Sequence, residues 1–275
     1  MIAELPTMAI EKVEMWQNTS IIPDENLAHR MGLVPILADP HAFDFKPLDK
    51  PYDESNSLRF KLHAICTKKD PRKPTPLNIN DVEEEEKIFN NSNVYSGQLE
   101  WVPIGNQAKL FKNNPPRPLH DDILIAKLRP GQEIEMEFIV EKGIGKTHAK
   151  WSPVCTAWYR LMPDIRFKQP VEGSDAKELK KLCPVGVFDI EDLGKGKSRA
   201  SVSNSEACTT CRECIRHEKF ADKVDLGKRK DVFEFHIESV GIYKPERIMF
   251  EALDKLKEKA IHWLAVLKHE ESLVQ

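Results

Sequence analysis

No apolar run in the sequence approaches the ~20 residues that a helix needs to cross a bilayer, so no helical membrane span is expected. No charged-then-apolar stretch opens the chain, so no secretory leader is read there. Neither sign of charge is in excess. The 41 Lys and Arg face 44 Asp and Glu, and the net charge of −3 gives no chain-wide attraction to nucleic acid. No basic helix or stripe speaks for direct DNA recognition. The pattern G-x-G-x-x-G is missing, which leaves no dinucleotide-binding turn. Gly145-Lys146-Thr147 has the ending of a phosphate-cradling loop, but the first glycine of that motif would fall on Val140, inside an alternating strand. Nucleotide hydrolysis fails on that residue, and 143–147 reads instead as a flexible loop made basic by Lys142, Lys146, His148 and Lys150. Cysteines number only six, and without a leader they fit a reducing compartment better than a disulfide framework.

Four of those six are grouped. Cys183-Pro184 precedes Cys208-x-x-Cys211-x-x-Cys214, a CP…CxxCxxC arrangement. A CxxCxxC run lets successive thiolates wrap one corner of an iron–sulfur cluster, and a distant Cys-Pro supplies the fourth ligand in ferredoxins. Cys183, Cys208, Cys211 and Cys214 are therefore the candidate ligands of one [4Fe–4S] cluster. Zinc also takes four cysteines, though not usually at this spacing, and unmetallated thiols are the third reading. Cys66 and Cys155 lie outside the pattern and read as buried thiols.

At roughly 150 residues per domain, 275 residues suggest about two domains. Met1–Pro6 reads as a helix end, followed by a strand over Met8–Trp16 with imperfect alternation. A short helix is expected at Glu25–Met31 with Asp24 as its N-cap, and His29 and Arg30 as polar parts of its face. Residues 57–66 alternate cleanly, with Leu58, Phe60, Leu62, Ala64 and Cys66 on one side. Residues 67–93 read as a solvated loop that includes the acidic run Glu83–Glu86. Strands are expected at 94–104 and 133–140, with a Pro/Asn-rich connector between them, and Asp121-Asp122 read as a turn pair rather than an acid/base site. Further on come a strand-like stretch at 151–168, a helix at Asp175–Leu182, a strand at Val185–Glu191 and a loop at Gly194–Ser205. Val232–Val240 alternates strongly. Pro245 then opens the longest helix, to about Lys268, whose apolar stripe (Ile248, Met249, Ala252, Leu256, Ala260, Trp263, Leu264, Leu267) divides between core and a partner interface.

Five blocks carry a family resemblance: MIAELPTMAIEKV, NTSIIPDENLAHRMGLVPI, WVPIGNQAKLF, RPLHDDILIAKLRPGQEIE and KGIGKTHAKWSPV. In this order they resemble the larger alpha-like subunit shared by eukaryotic RNA polymerases I and III, a relative of the bacterial polymerase alpha subunit and of its archaeal counterpart. The resemblance implies an α+β fold with three parts. A dimerisation domain would span 1–7 and 154–275, contain a ferredoxin-like insertion at 170–225, and enclose an inserted β-rich domain at 8–153. Family members have further strands and a first helix before the segment matching Met1, so the N-terminal part of the dimerisation domain is expected to be missing and the isolated chain poorly soluble. The implied role is non-catalytic. The subunit would pair with a smaller alpha-like subunit and scaffold the two largest polymerase subunits, touching DNA only through the complex and no membrane. It would work in the nucleus, including the nucleolus, on rRNA, 5S rRNA and tRNA genes. Pro245–Lys268 and Val232–Val240 would dimerise, while Leu27–Pro35, Asp121–Leu128 and Gly143–Lys150 would face the large subunits. The competing class, an iron–sulfur redox or electron-transfer protein, rests on the cysteines alone.

Overall fold

The computed structural model describes residues 1–72 and 86–274. The chain forms two compact units, Met1–Ala157 with Ile237–Gln275, and Trp158–His236.

The first unit is built on an antiparallel sheet. Strand β1 (Pro6–Asn18) leads to helix α1 (Asp24–Gly32), and β2 (Ser57–Ile65), β3 (Glu100–Val102) and β4 (Glu133–Ile144) follow. Their order in the sheet is β1-β4-β2-β3. Phe138 of β4 lies opposite Val13 on one side and Phe60 on the other. Alternate residues of β4 and β2 point to one face, so Ile134, Met136, Phe138 and Val140 join Leu58, Phe60, Leu62 and Ala64 in a single core. Leu27 and Met31 of α1 cover it. The opposite face is solvated and charged; there His63 Nε2 and a Glu133 carboxylate oxygen lie 2.8 Å apart.

Several expectations change on contact with this sheet. The imperfect alternation of β1 has a cause: its register with β4 shifts between Ile10 and Lys12 and between Met15 and Gln17, and each bulge inverts the side-chain order. Met1–Leu5 is a turn rather than a helix end. Asp24 is the first helical residue, not the cap. Its carboxylate accepts a hydrogen bond from Asn18 Nδ2 at 2.7 Å, and its charge favours the helix N-terminus. The strand expected over 94–104 is two pieces, Asn93–Tyr95 and β3, because Ser96–Gln98 makes a 3₁₀ turn between them. Within the stretch read as a loop, Thr67–Lys68 pairs with Phe89–Asn90. The acidic run Glu83–Glu86 lies outside the described residues except for Glu86, whose carboxylate accepts from Asn93 Nδ2 at 3.0 Å.

In the second unit, β5 (Val154–Phe167), which enters from the first, is hydrogen-bonded to β8 (Val224–Ser239). Between them lie helix α2 (Ser174–Leu182) and an antiparallel hairpin of β6 (Phe188–Gly194) and β7 (Lys197–Val202). Two short helices, Glu213–Arg216 and Glu218–Ala221, follow. Strand β7 occupies what read as a loop. Its mostly polar residues hide a pairing that the left-handed residues Gly194, Lys195 and Gly196 make possible at the turn. Val171, Ala176, Leu179, Phe188 and Phe220 form this unit's core. Asp175 bridges it at the surface, with Lys219 at 2.9 Å and Lys223 at 3.7 Å. Helix α3 (Pro245–Val274) belongs to the first unit.

Two outcomes follow from this packing. Phe138→Ala is expected to cost about 3–5 kcal/mol, as for other buried Phe→Ala changes, seen as a fall in the urea midpoint. The Asp175 carboxyl is held below its ordinary range, chiefly by the hydrogen bond from Lys219. Its native value is depressed, so its contribution is present above the ordinary Asp range and disappears as pH falls through the native value. Asp175→Asn should therefore lower stability slightly at neutral pH and flatten the acid limb of the stability curve, measured by denaturation across pH.

Candidate assembly interface

Helix α3 is the element with most unmet burial. Pro245 sits at its first position, where the missing N–H costs nothing, and Glu246 suits the positive end. Its base is firmly held. Ile248 is fully buried with Leu5, Val154 and Tyr243. Tyr243 donates its hydroxyl to the Pro6 carbonyl at 2.8 Å, and burial pushes that phenol far above its ordinary range. Arg247 lies 4.7 Å over the Tyr243 ring and bonds Glu251 at 2.7 Å and Asp39 at 3.2 Å. Lys259 reaches Glu4 at 2.5 Å.

Beyond these anchors the apolar side chains are largely exposed among the described residues. Leu253, Leu256, Trp263, Leu264 and Leu267 share one side of the helix, and Trp263 and Leu264 are 63% and 58% exposed. The stripe expected from sequence thus divides. Ile248 and Ala252 belong to the core, whereas Leu256 onward does not. A contiguous apolar face of this kind marks an interaction site. Strand β8 shows a related surface in the second unit, where exposed Phe233 and Phe235 pack on Tyr159 at ring separations of 6.0 and 5.4 Å.

A second surface lies on the first unit. The three blocks assigned to large-subunit contact converge there. Arg30 of α1 donates to the Leu124 carbonyl at 2.7 Å. His29 and Leu33 share an open groove of about 270 Å³ with Ile10, Glu11, His148 and Lys150. Lys150 Nζ bonds the Ile10 carbonyl at 2.8 Å and pairs with Glu11. The loop at 143–147 is not a free flexible arm. Gly143 lies under the Trp151 ring, and Gly145 lies against the Ile2 carbonyl so closely that a Cβ there would sit 2.2 Å from its oxygen. Sequence reasoning missed that close approach, although two glycines in three residues were its signal.

The structure does bring Cys183, Cys208, Cys211 and Cys214 together. They line one cavity with Ile165, Val187 and Phe188 that leaves about 10 Å³ free to a water-sized molecule. That is room for roughly one water. Among the described residues, the metal-ligating set whose atoms lie within 4.8 Å of one another is His63, Glu133 and Glu135, with no cysteine in it. Cys214 is buried, and burial, then the neighbouring Cys208 and Cys211, pushes its thiol up. Cys155, expected to be buried, is exposed, because Val154 turns inward and the next residue of the strand must turn out.

The family model of the RNA polymerase Rpb3/RpoA insert domain matches residues 13–156. That range contains α1, β2, β3, β4 and the latter part of β1, which defines the class as polymerase alpha-type subunits. The chain is 44% identical over 265 residues to the DNA-directed RNA polymerases I and III subunit RPAC1 of Mus musculus, covering 96% of this chain and 75% of the relative. It is 42% identical to the RPAC1 subunit of Saccharomyces cerevisiae, covering 94% and 76%. The DNA-directed RNA polymerase II subunit rpb3 of Dictyostelium discoideum is 32% identical, covering 94% and 82%. The chain belongs to the alpha-like subunit family of the DNA-directed RNA polymerases.

The [4Fe–4S] expectation is corrected by these findings. The relatives are named as polymerase subunits, not iron–sulfur proteins. Nor do the four cysteines belong to the compact ligand set found among the described residues. The redox and electron-transfer class, which rested on the cluster, loses its support.

Proposed function

We propose that this chain is the non-catalytic assembly subunit of RNA polymerases I and III. The observation that carries the reading is the uncovered stripe of α3 on a firmly anchored base, in a chain whose relatives are named as subunits of those polymerases. A helix held in place but left apolar on one side presents a preformed docking face, with little ordering cost on binding. Its occupant is the smaller alpha-like subunit. The pair then receives the two largest subunits, with the groove between α1 and His148–Lys150 turned to one of them. The chain works in the nucleus, and in the nucleolus when in polymerase I, and meets DNA only through the complex. No described helix is long and apolar enough to cross a membrane.

In this reading the dimerisation domain comprises 1–7 and 154–275, and the inserted β-rich domain 8–153. The match of the insert-domain model to 13–156 supports the latter boundary. Residues 170–225 are read as a ferredoxin-like insertion. Its support is the order β5-α2-β6-β7-helix-β8, although β5–β8 and β6–β7 pair as separate two-stranded sheets.

Co-expression with the smaller alpha-like subunit, and purification through a tag on it, tests the role. The wild-type chain should co-purify. Trp263→Glu and Leu264→Glu should each weaken the pair at least about tenfold, since burying one such side chain contributes roughly 1.5–3 kcal/mol, without changing the circular dichroism of this chain. Undiminished capture of both variants would overturn the assignment. His29→Glu with Leu33→Glu should leave the pair intact and reduce its retention of the largest subunits; loss of the pair instead would place the partner on the groove.

A further inference from the structure

The solvated face of the first sheet holds a group of donor atoms that the assembly role does not use. A ring nitrogen of His63 and one carboxylate oxygen each from Glu133 and Glu135 all lie within 4.8 Å of one another. The sheet register brings them together. Glu135 of β4 is directly opposite His63 of β2, and Glu133, two residues back, shares its face. His63 Nε2 and a Glu133 oxygen are already 2.8 Å apart. Strand β4 is paired along both edges, so this register is fixed. The Glu133 backbone is pinned as well. Its N–H donates to Thr19 Oγ1 at 2.7 Å, and its carbonyl accepts the Thr19 N–H at 2.9 Å. The donors thus converge from rigid backbone on two strands, which is the support a metal site needs.

The charge around them favours a cation. Glu133, Glu135 and Glu137 form one outward column on β4, and Glu14 faces Glu137 from β1, like charge opposite like. The residues across from Glu135 are Gln17 and His63, neither a permanent cation. Lys61 lies across from Glu137, but its ammonium pairs with Glu100 at 3.0 Å. A bound dication offsets this repulsion. The donor set then selects the ion. Calcium takes about six to eight oxygens, and magnesium a near-octahedral oxygen shell. Zinc accepts nitrogen and carboxylate oxygen from three side chains and completes its shell with water.

We propose that His63, Glu133 and Glu135 bind one divalent ion of the zinc class, with water in the fourth position. Donor atoms about 2.0 Å from a tetrahedral zinc stand about 3.3 Å apart, so the contact between His63 and Glu133 opens only slightly. The ion ties β2 to β4 near the end of their pairing, before the chain leaves for the Thr67–Lys68 and Phe89–Asn90 pair. The site belongs to the first unit alone.

The full chain, stripped of metal, would compete for zinc against a chromophoric chelator. Because the cysteines of the second unit can take zinc on their own, the readout is the difference between wild type and variants. His63→Ala and Glu135→Gln should each abolish one zinc equivalent or weaken it at least about tenfold. Cobalt bound in its place should lack thiolate-to-metal absorption. The rise in melting temperature that this equivalent brings should vanish with it. Glu137→Gln, on the same face but outside the set, should keep the equivalent, and circular dichroism should be unchanged in all three variants. Zinc binding that both ligand variants retain, an equal loss in Glu137→Gln, thiolate absorption at the affected equivalent, or displacement by equimolar calcium or magnesium would each overturn the proposal.

Discussion

Strand β4 is hydrogen-bonded along both edges, to β1 and to β2, and every second side chain from Ile134 to Val140 is buried. That double pairing is the constraint on which the first unit rests. A slip of one residue would turn Phe138 and its neighbours into solvent and bring Glu135 and Glu137 into the core. With the register held, α1 has one place to lie, over the face that Phe60 and Phe138 form. Arg30 then falls beside Leu124, and His29 beside His148 and Lys150. The groove follows from the sheet; none of its residues is near most of the others in sequence.

Helix α3 answers a different requirement. Its first turns are held by Ile248, the Tyr243 hydroxyl and the Arg247 pairs, so its direction is set by this chain. Its later turns are apolar without a core to enter. The two facts together leave a firmly held helix with an exposed apolar stripe, the docking face proposed above.

How much was legible follows the strength of the period. The strands β2 and β4 and the helix α3 show unbroken periods of two and of three-to-four, and each forms close to where it was expected. The bulged β1 blurred its own pattern, and β7, written in Lys, Ser, Arg, Ala and Val, carried almost none. The division of the α3 stripe after Ala252 was invisible, because Leu256 and Ile248 look alike until a surface exists to cover one of them. The cysteine spacing suggested a cluster that the relatives, named as polymerase subunits, do not support; the four thiols do line one cavity.

By itself the sequence determined the family, the alternating strands of the core, the long amphipathic helix and the grouping of cysteines, because side-chain order and local periodicity are written directly in it. Only the tertiary structure decided which half of that helix is free, that Gly143 and Gly145 serve close packing rather than motion, that Cys155 faces out, and that three separate blocks share one surface. Those depend on which distant segments come to lie against each residue, and burial is a property of the neighbours rather than of the residue.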